Sequence, residues 1–152
     1  MPVNNELRMD AERIARAAIE AVKPDEAVRR ALKNTVLSER VHLVAVGKAA
    51  WQMAAAAVQF LEQPLQGGIV ITKYGHSMGA LPGIRIFEAG HPVPDENSYR
   101  ATEAVLEMTA ELTEEDTVLF LLSGGGSALF EKPLVKPEVL QQITEILLRG
   151  GA

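Results

Sequence analysis

Four short stretches hold residue types suited to chemistry on a small anion. The first, Ser123-Gly124-Gly125-Gly126-Ser127, sets three consecutive glycines between two hydroxyls. Glycine leaves backbone amides uncovered and permits positive φ, so successive N–H donors can converge on a phosphate or carboxylate. A flexible turn is the plain alternative, but three adjacent glycines carry an entropic cost that a turn without a ligand does not repay. The second, Gly47-Lys48, lets the backbone approach a ligand and puts an ammonium where a helix is about to start. That charge opposes the positive end of the helix dipole, and a bound anion would relieve the conflict. Taken by itself, this pair fits a tight turn with a solvated lysine better. The third, His91-Pro92-Val93-Pro94-Asp95, carries an imidazole and a carboxylate on a loop stiffened by two prolines. Such a pair suits binding of a hydroxy acid, base chemistry or a share in a metal site, although Asp95 equally suits a helix cap. Lys73 and His76, in the fourth stretch, rank behind these, because a solvated loop would carry them too. Trp51, Met53 and Met108 recur with other apolar residues at helical spacing and read as core.

Several chemistries are disfavoured by what these stretches lack. A Walker A loop needs glycine where His42 stands and serine or threonine where Ala49 stands. A dinucleotide fingerprint needs a further glycine at Ala49, which argues against ordinary nicotinamide binding. Gly125-Gly126-Ser127-Ala128-Leu129 lacks the closing glycine of a nucleophile elbow, so Ser127 is a poor nucleophile candidate. With no cysteine there is no thiolate nucleophile, disulfide or thiolate metal site. The net charge of -5, from 15 basic and 20 acidic residues, opposes nonspecific attraction to nucleic acid.

The elements that must position these loops are legible in the apolar pattern. The chain has 152 residues, enough for one domain with a core, and is 47% hydrophobic and 23% charged. No apolar run nears the roughly 20 residues that span a bilayer, and the polar start lacks the apolar core of a secretory signal. A cytoplasmic location and no membrane partner are therefore expected. Helical spacing predicts helices over Glu6–Val22 and from Pro24 towards Leu37, both packing on the elements after them. Strands are expected at Val41–Val46, Gly68–Thr72 and Ile84–Glu88, with Thr117–Leu122 the clearest buried strand. Helices fall between them at Lys48–Leu61 and from Glu96 to about Glu111, and a last one runs from Pro137 to Leu148. This alternation predicts an α/β fold, a Rossmann-like and mainly parallel sheet with helices on both faces. Such sheets bind ligands beyond the carboxyl ends of their strands, and all four stretches follow strands.

Taken together, Val44-Ala45-Val46-Gly47-Lys48-Ala49-Ala50, Ile71-Thr72-Lys73-Tyr74-Gly75-His76, the run Glu88 to Ser98 and the run Leu122 to Leu129 resemble the N-terminal part of the glycerate 2-kinase family. Its members are often labelled hydroxypyruvate reductase. The resemblance runs from about Leu32 to the end of the chain, with four motifs in matching order. It implies ATP-dependent phosphorylation of D-glycerate at its 2-hydroxyl, giving 2-phosphoglycerate, with Mg2+. It also implies that residues 1–152 are a single α/β domain, or part of one, at the N-terminal end of a longer enzyme with two α/β domains around a cleft. The C-terminal domain, which would supply an arginine to that cleft, is missing here, and the fragment alone is expected to be inactive. Lys48 matches a lysine regarded as an active-site residue in the family. Gly47, Ser123, Gly124, Gly125, Gly126 and Ser127 are then expected to bind phosphate or the glycerate carboxylate, with His91 and Asp95 shaping the adjoining wall. The resemblance assigns no metal ligands, does not divide ATP from glycerate among the loops, and leaves homo-oligomer formation open.

Two other functions compete at this level. One is a reductase acting on hydroxypyruvate, which the absent dinucleotide fingerprint opposes. The other is a noncatalytic module binding sugar phosphates or organic acids, since Gly47-Lys48-Ala49 after a strand is also similar to sugar isomerase-type domains.

Overall fold

The computed structural model describes residues 3–61 and 63–151. Its centre is a four-stranded sheet of β1 (Arg40–Val46), β2 (Gly67–Lys73), β3 (Ile84–Ala89) and β4 (Asp116–Leu122), ordered β3-β2-β1-β4. Every neighbouring pair is parallel. The alternation of side chains along β1 divides the core in two. Leu43 and Ala45 enter one layer with Val28, Leu32, Ala54 and Ala57, which come from α2 (Pro24–Leu32) and α3 (Ala50–Phe60). Val44 and Val46 enter the other, with Ala101, Val105 and Leu129 of α4 (Glu96–Thr109) and the single turn α5 (Gly126–Leu129). Leu43, Val44, Val46, Ile69 and Ile71 are wholly buried. Each such side chain contributes about 1.5–3 kcal/mol of burial, so the central strands β1 and β2 anchor the fold. The expected α/β sheet with helices on both faces is therefore present, with boundaries shifted by a few residues. α2 stops at Leu32, short of Leu37.

The alternation of strand and helix holds for β1-α3-β2 and β3-α4-β4. Residues 74–83 instead join β2 to β3 without a helix.

Two expectations about packing are corrected. Helix α1 (Val3–Ala21), expected to pack on the elements after it, leaves Leu7, Met9, Ile14 and Ile19 exposed. Its helical form is supported locally by pairs such as Arg13–Asp10 and Arg16–Glu12, each adding about 0.2–0.5 kcal/mol. The last helix, α6 (Pro137–Arg149), likewise buries no residue among those described. Finally, β4 reads from sequence as the clearest buried strand but forms an edge of the sheet. Its Leu119 and Leu121 join the α2/α3 layer, whereas Val118, Phe120 and Leu122 on the other face are 39%, 45% and 64% exposed. The cause is the placement of α4, which lies over β2 and β3 and leaves that face of β4 uncovered.

Candidate functional site

Because all strands run the same way, the four chemically suggestive stretches meet at one edge of the sheet. The tips of β1 and β4 are stitched together there. Ser123 N–H donates to Val46 O at 2.9 Å, and Lys48 N–H donates to Gly124 O at 2.9 Å. The Ser123 hydroxyl donates to Val46 O at 3.3 Å and accepts from Ala49 N–H at 3.1 Å. That last bond caps α3, whose own N-cap, Ala49, has no side chain able to do so. Gly47 makes the approach feasible: its φ is +120°, and a Cβ there would collide with the hydroxyl and carbonyl of Ser123. On the other side, Gly47 N–H donates to Ile71 O at 3.0 Å, and the buried Thr72 hydroxyl donates to Gly47 O at 3.0 Å.

Over this frame lies a set of unsatisfied donors. Among the described residues, the amides of 124–128 donate to no other group, those of 125–128 being the first N–H groups of α5, which a helix leaves without an internal partner. A Cβ at Gly124 would lie 3.9 Å from Lys48 Cε, so the lysine side chain runs across the glycine loop. Its ammonium finds no acceptor among the described residues. Gly125 has φ +95°, and a Cβ there would come within 2.8 Å of Cδ2 and Nε2 of His91. The imidazole therefore rests on the bare glycine. Burial holds the pKa of His91 below its ordinary value, and the charges of Lys48 and Lys73 and the nearby His76 lower it further. His91 is accordingly neutral at pH 7, an acceptor beside an ammonium.

Asp95 has a different setting. Its Oδ1 accepts from Ser98 N–H at 3.1 Å and from the Ser98 hydroxyl at 3.3 Å, while Asp95 N–H donates to Ser98 Oγ at 3.1 Å. This is a capping box at the start of α4. Its Oδ2 accepts from the Tyr74 hydroxyl at 2.7 Å, and Asn97 Nδ2 donates to that same hydroxyl at 2.8 Å. Burial acts to raise the Asp95 pKa, but the Tyr74 hydroxyl and the amides of Gly90 and Ser98 outweigh it and hold the carboxyl below its usual range. Asp95 thus serves its helix and the Tyr74 loop with both oxygens.

The structure brings together Lys48, Gly47, His91 and the 123–127 loop, with Ser123 acting as a brace and Ser127 exposed. Lys73 and His76, ranked behind the others from sequence, belong to the same cluster, and His76 Nδ1 lies 3.0 Å from Lys48 O. Tyr74 and Asn97 escaped sequence reasoning. Their only signal was position, inside or beside loops already singled out. No group of three His, Asp or Glu able to hold a metal occurs among the described residues. Mg2+ prefers carboxylate and water oxygens, whereas this cluster is cationic and the Asp95 carboxylate is engaged by Ser98 and Tyr74, so the residues present do not fit Mg2+. No helix among the described residues is long and apolar enough to cross a membrane.

The chain is similar to known proteins. Residues 10–152 match the family model described as a domain of unknown function, DUF4147. The chain is 54% identical over 148 residues to a D-glycerate 2-kinase of Thermotoga maritima, covering 96% of this chain and 35% of that protein. It is 39% identical over 140 residues to a glycerate 2-kinase of Pyrococcus horikoshii, covering 90% of this chain and 31% of that one. A crystal structure of glycerate kinase from Thermotoga maritima superposes with a TM-score of 0.89 at 53% identity, over 97% of this chain and 36% of that one. Hydroxypyruvate reductase also occurs as a name, for a relative from Agrobacterium vitis at 37% identity. The chain spans about a third of the length of the curated relatives it matches.

Proposed function

The chain belongs to the DUF4147 family, and from that premise we propose that it forms one wall of an ATP-dependent glycerate 2-kinase. The observation that carries this reading is the Lys48 side chain lying across amides 124–128, which donate to nothing among the described residues. In phosphoryl transfer the 2-hydroxyl oxygen of glycerate bonds to the γ-phosphorus and loses its proton to solvent, the bond to the β,γ-bridging oxygen breaks, and ADP leaves. Negative charge spreads over the nonbridging oxygens, and fixed donors that need no rearrangement stabilise it. Lys48 and the glycine-loop amides supply such donors. Neutral His91 accepts a hydrogen bond from a substrate hydroxyl at the adjoining wall. Asp95 supports that wall from behind through its helix cap. Mg2+, which the family resemblance pairs with ATP, would take its ligands from outside the described residues, and no step here runs through it.

In this reading residues 1–152 are an N-terminal α/β unit that works only with a second domain. The uncovered face of β4 and the apolar residues exposed on α6 support that view, because apolar surface of this kind is ordinarily covered. A cytoplasmic location, where ATP is supplied, fits this reading. The reductase reading finds no support in the strand-tip loops, which lack a dinucleotide fingerprint.

The test is an assay on a polypeptide of the relatives' full length carrying this sequence. Phosphorylation of D-glycerate by ATP is expected. Oxidation of NADH with hydroxypyruvate, and no phosphorylation, would overturn the proposal.

A further inference from the structure

A second concavity begins where the strand-tip cluster ends. It lies between α2 and α3, has a volume of about 650 Å³, and includes Lys48 and His76 among its lining residues, so it is continuous with the cluster. Helix α3 presents two faces. Ala50, Ala54 and Ala57 are buried against the sheet, while Gln52, Ala55, Ala56 and Gln59, spaced as neighbours on a helix, line the cavity. Trp51 forms another wall, its indole fixed by a 2.8 Å hydrogen bond from Nε1 to Gly79 O. Most of the lining is apolar, and the volume falls within the range of small-molecule sites.

Two features select the ligand. The wall of Trp51, Pro24 and alanine suits a flat heteroaromatic body and not glycerate, which is a small molecule of carboxylate and hydroxyl groups. In addition, the Gln52 Oε1 is buried with no hydrogen-bond partner among the described residues. An unpaired buried amide oxygen costs about 1–3 kcal/mol, which a rotation of the amide towards a donor would recover. A primary amide pairs with adenine in a bidentate fashion, accepting from the exocyclic amine and donating to the adjacent ring nitrogen. We propose that this cavity receives the adenine of the phosphoryl donor, with Gln52 reading its edge and the phosphates directed towards Lys48. The inference rests on the kinase reading and divides the site: nucleoside between α2 and α3, glycerate on the His91 side.

Trp51 is the one tryptophan in the sequence, so its fluorescence reports on the cavity directly. Adenosine added to the full-length enzyme should change tryptophan emission saturably, Trp51→Phe should remove that change, and Ala55→Phe, which fills the cavity from a half-buried position, should abolish it. In the full-length enzyme, Ala55→Phe and Gln52→Leu should each raise KM for ATP by about tenfold or more and leave KM for glycerate within about twofold. Thermal melts of both variants separate this from unfolding. A silent Trp51, or a rise in KM for glycerate in place of ATP, overturns the assignment. If adenosine binds at Trp51 but ATP phosphorylates nothing, the kinase reading falls and the nucleoside site stands. If phosphorylation proceeds while Trp51 is silent, the cavity proposal alone falls.

Discussion

The imidazole of His91 rests directly on Gly125, so near that a Cβ at residue 125 would lie 2.8 Å from the ring. The contact joins the β3 tip to the β4 tip across the end of the sheet.

Gly125→Ala tests this contact. The left-handed φ of +95° costs a residue with a Cβ roughly 1–2 kcal/mol, and the added methyl must also displace the imidazole. A loss of stability of that order is expected in urea denaturation. Turnover of the full-length enzyme should fall further than the loss of folded protein explains. Full activity in a stable variant would remove the His91–Gly125 contact from the site.

Lys48→Met should lower turnover of the full-length enzyme by at least about 10²-fold, the scale on which a fixed charge-stabilising donor acts, with folding intact. The same change should raise the pKa of His91, because burial and the Lys48 charge are the two foremost influences holding it down. An NMR titration of the imidazole carbon protons measures that shift. No upward movement would mean that the two side chains do not sense each other.

Asp95 separates capping from contact with substrate. Asparagine caps about as well as aspartate, whereas loss of an N-cap to alanine costs about 0.5–2 kcal/mol. Asp95→Ala should therefore destabilise by about that amount, and Asp95→Asn by much less. If Asp95→Asn abolished glycerate binding while leaving the melting temperature unchanged, the carboxylate would have to touch substrate.

Far from the strand tips, Asp116 governs the acid limb of stability. Thr113 N–H and the Thr113 hydroxyl both donate to Oδ2 at 2.9 Å, and Arg40 Nε lies 2.9 Å from Oδ1, with His42 nearby. The Thr113 amide above all, then its hydroxyl, His42 and Arg40, outweigh burial and lower the carboxyl to about 2. The folded pKa lies below the ordinary value of about 3.9, so the stabilisation is complete above that value and is lost as pH falls from about 4 to 2. Urea denaturation at a series of pH values should show the fall in that window, and Asp116→Asn should flatten it.

Much of this was legible in the residues. The apolar β-branched runs and the glycine after β1 located the central strands, and their parallel order put Lys48, His91 and Ser123–Ser127 at one edge. What escaped was set by tertiary placement. The run Thr117–Leu122 is as apolar as a buried strand, but no rule of spacing says which face a helix will leave open. The brace role of Ser123 depends on an amide 74 positions earlier, and the tie of Tyr74 to Asp95 spans 21. Neither partnership has a local signature. Asp95 differs, because its bond to Ser98 is a short-range cap and was readable in advance.

The Ser123 brace also fixes the order in which the protein can mature during synthesis. Chains emerge N-terminus first, and contacts distant in sequence wait for their partners. The β1–α3–β2 unit can assemble early, yet its Lys48 loop has no brace until residues 123 and 124 have been made. Until then α3 lacks its cap and the lysine has no glycine loop to lie across. A nascent chain arrested before Ser123 would carry an unbraced Lys48 loop, and completion of β4 would convert the early fold into a site.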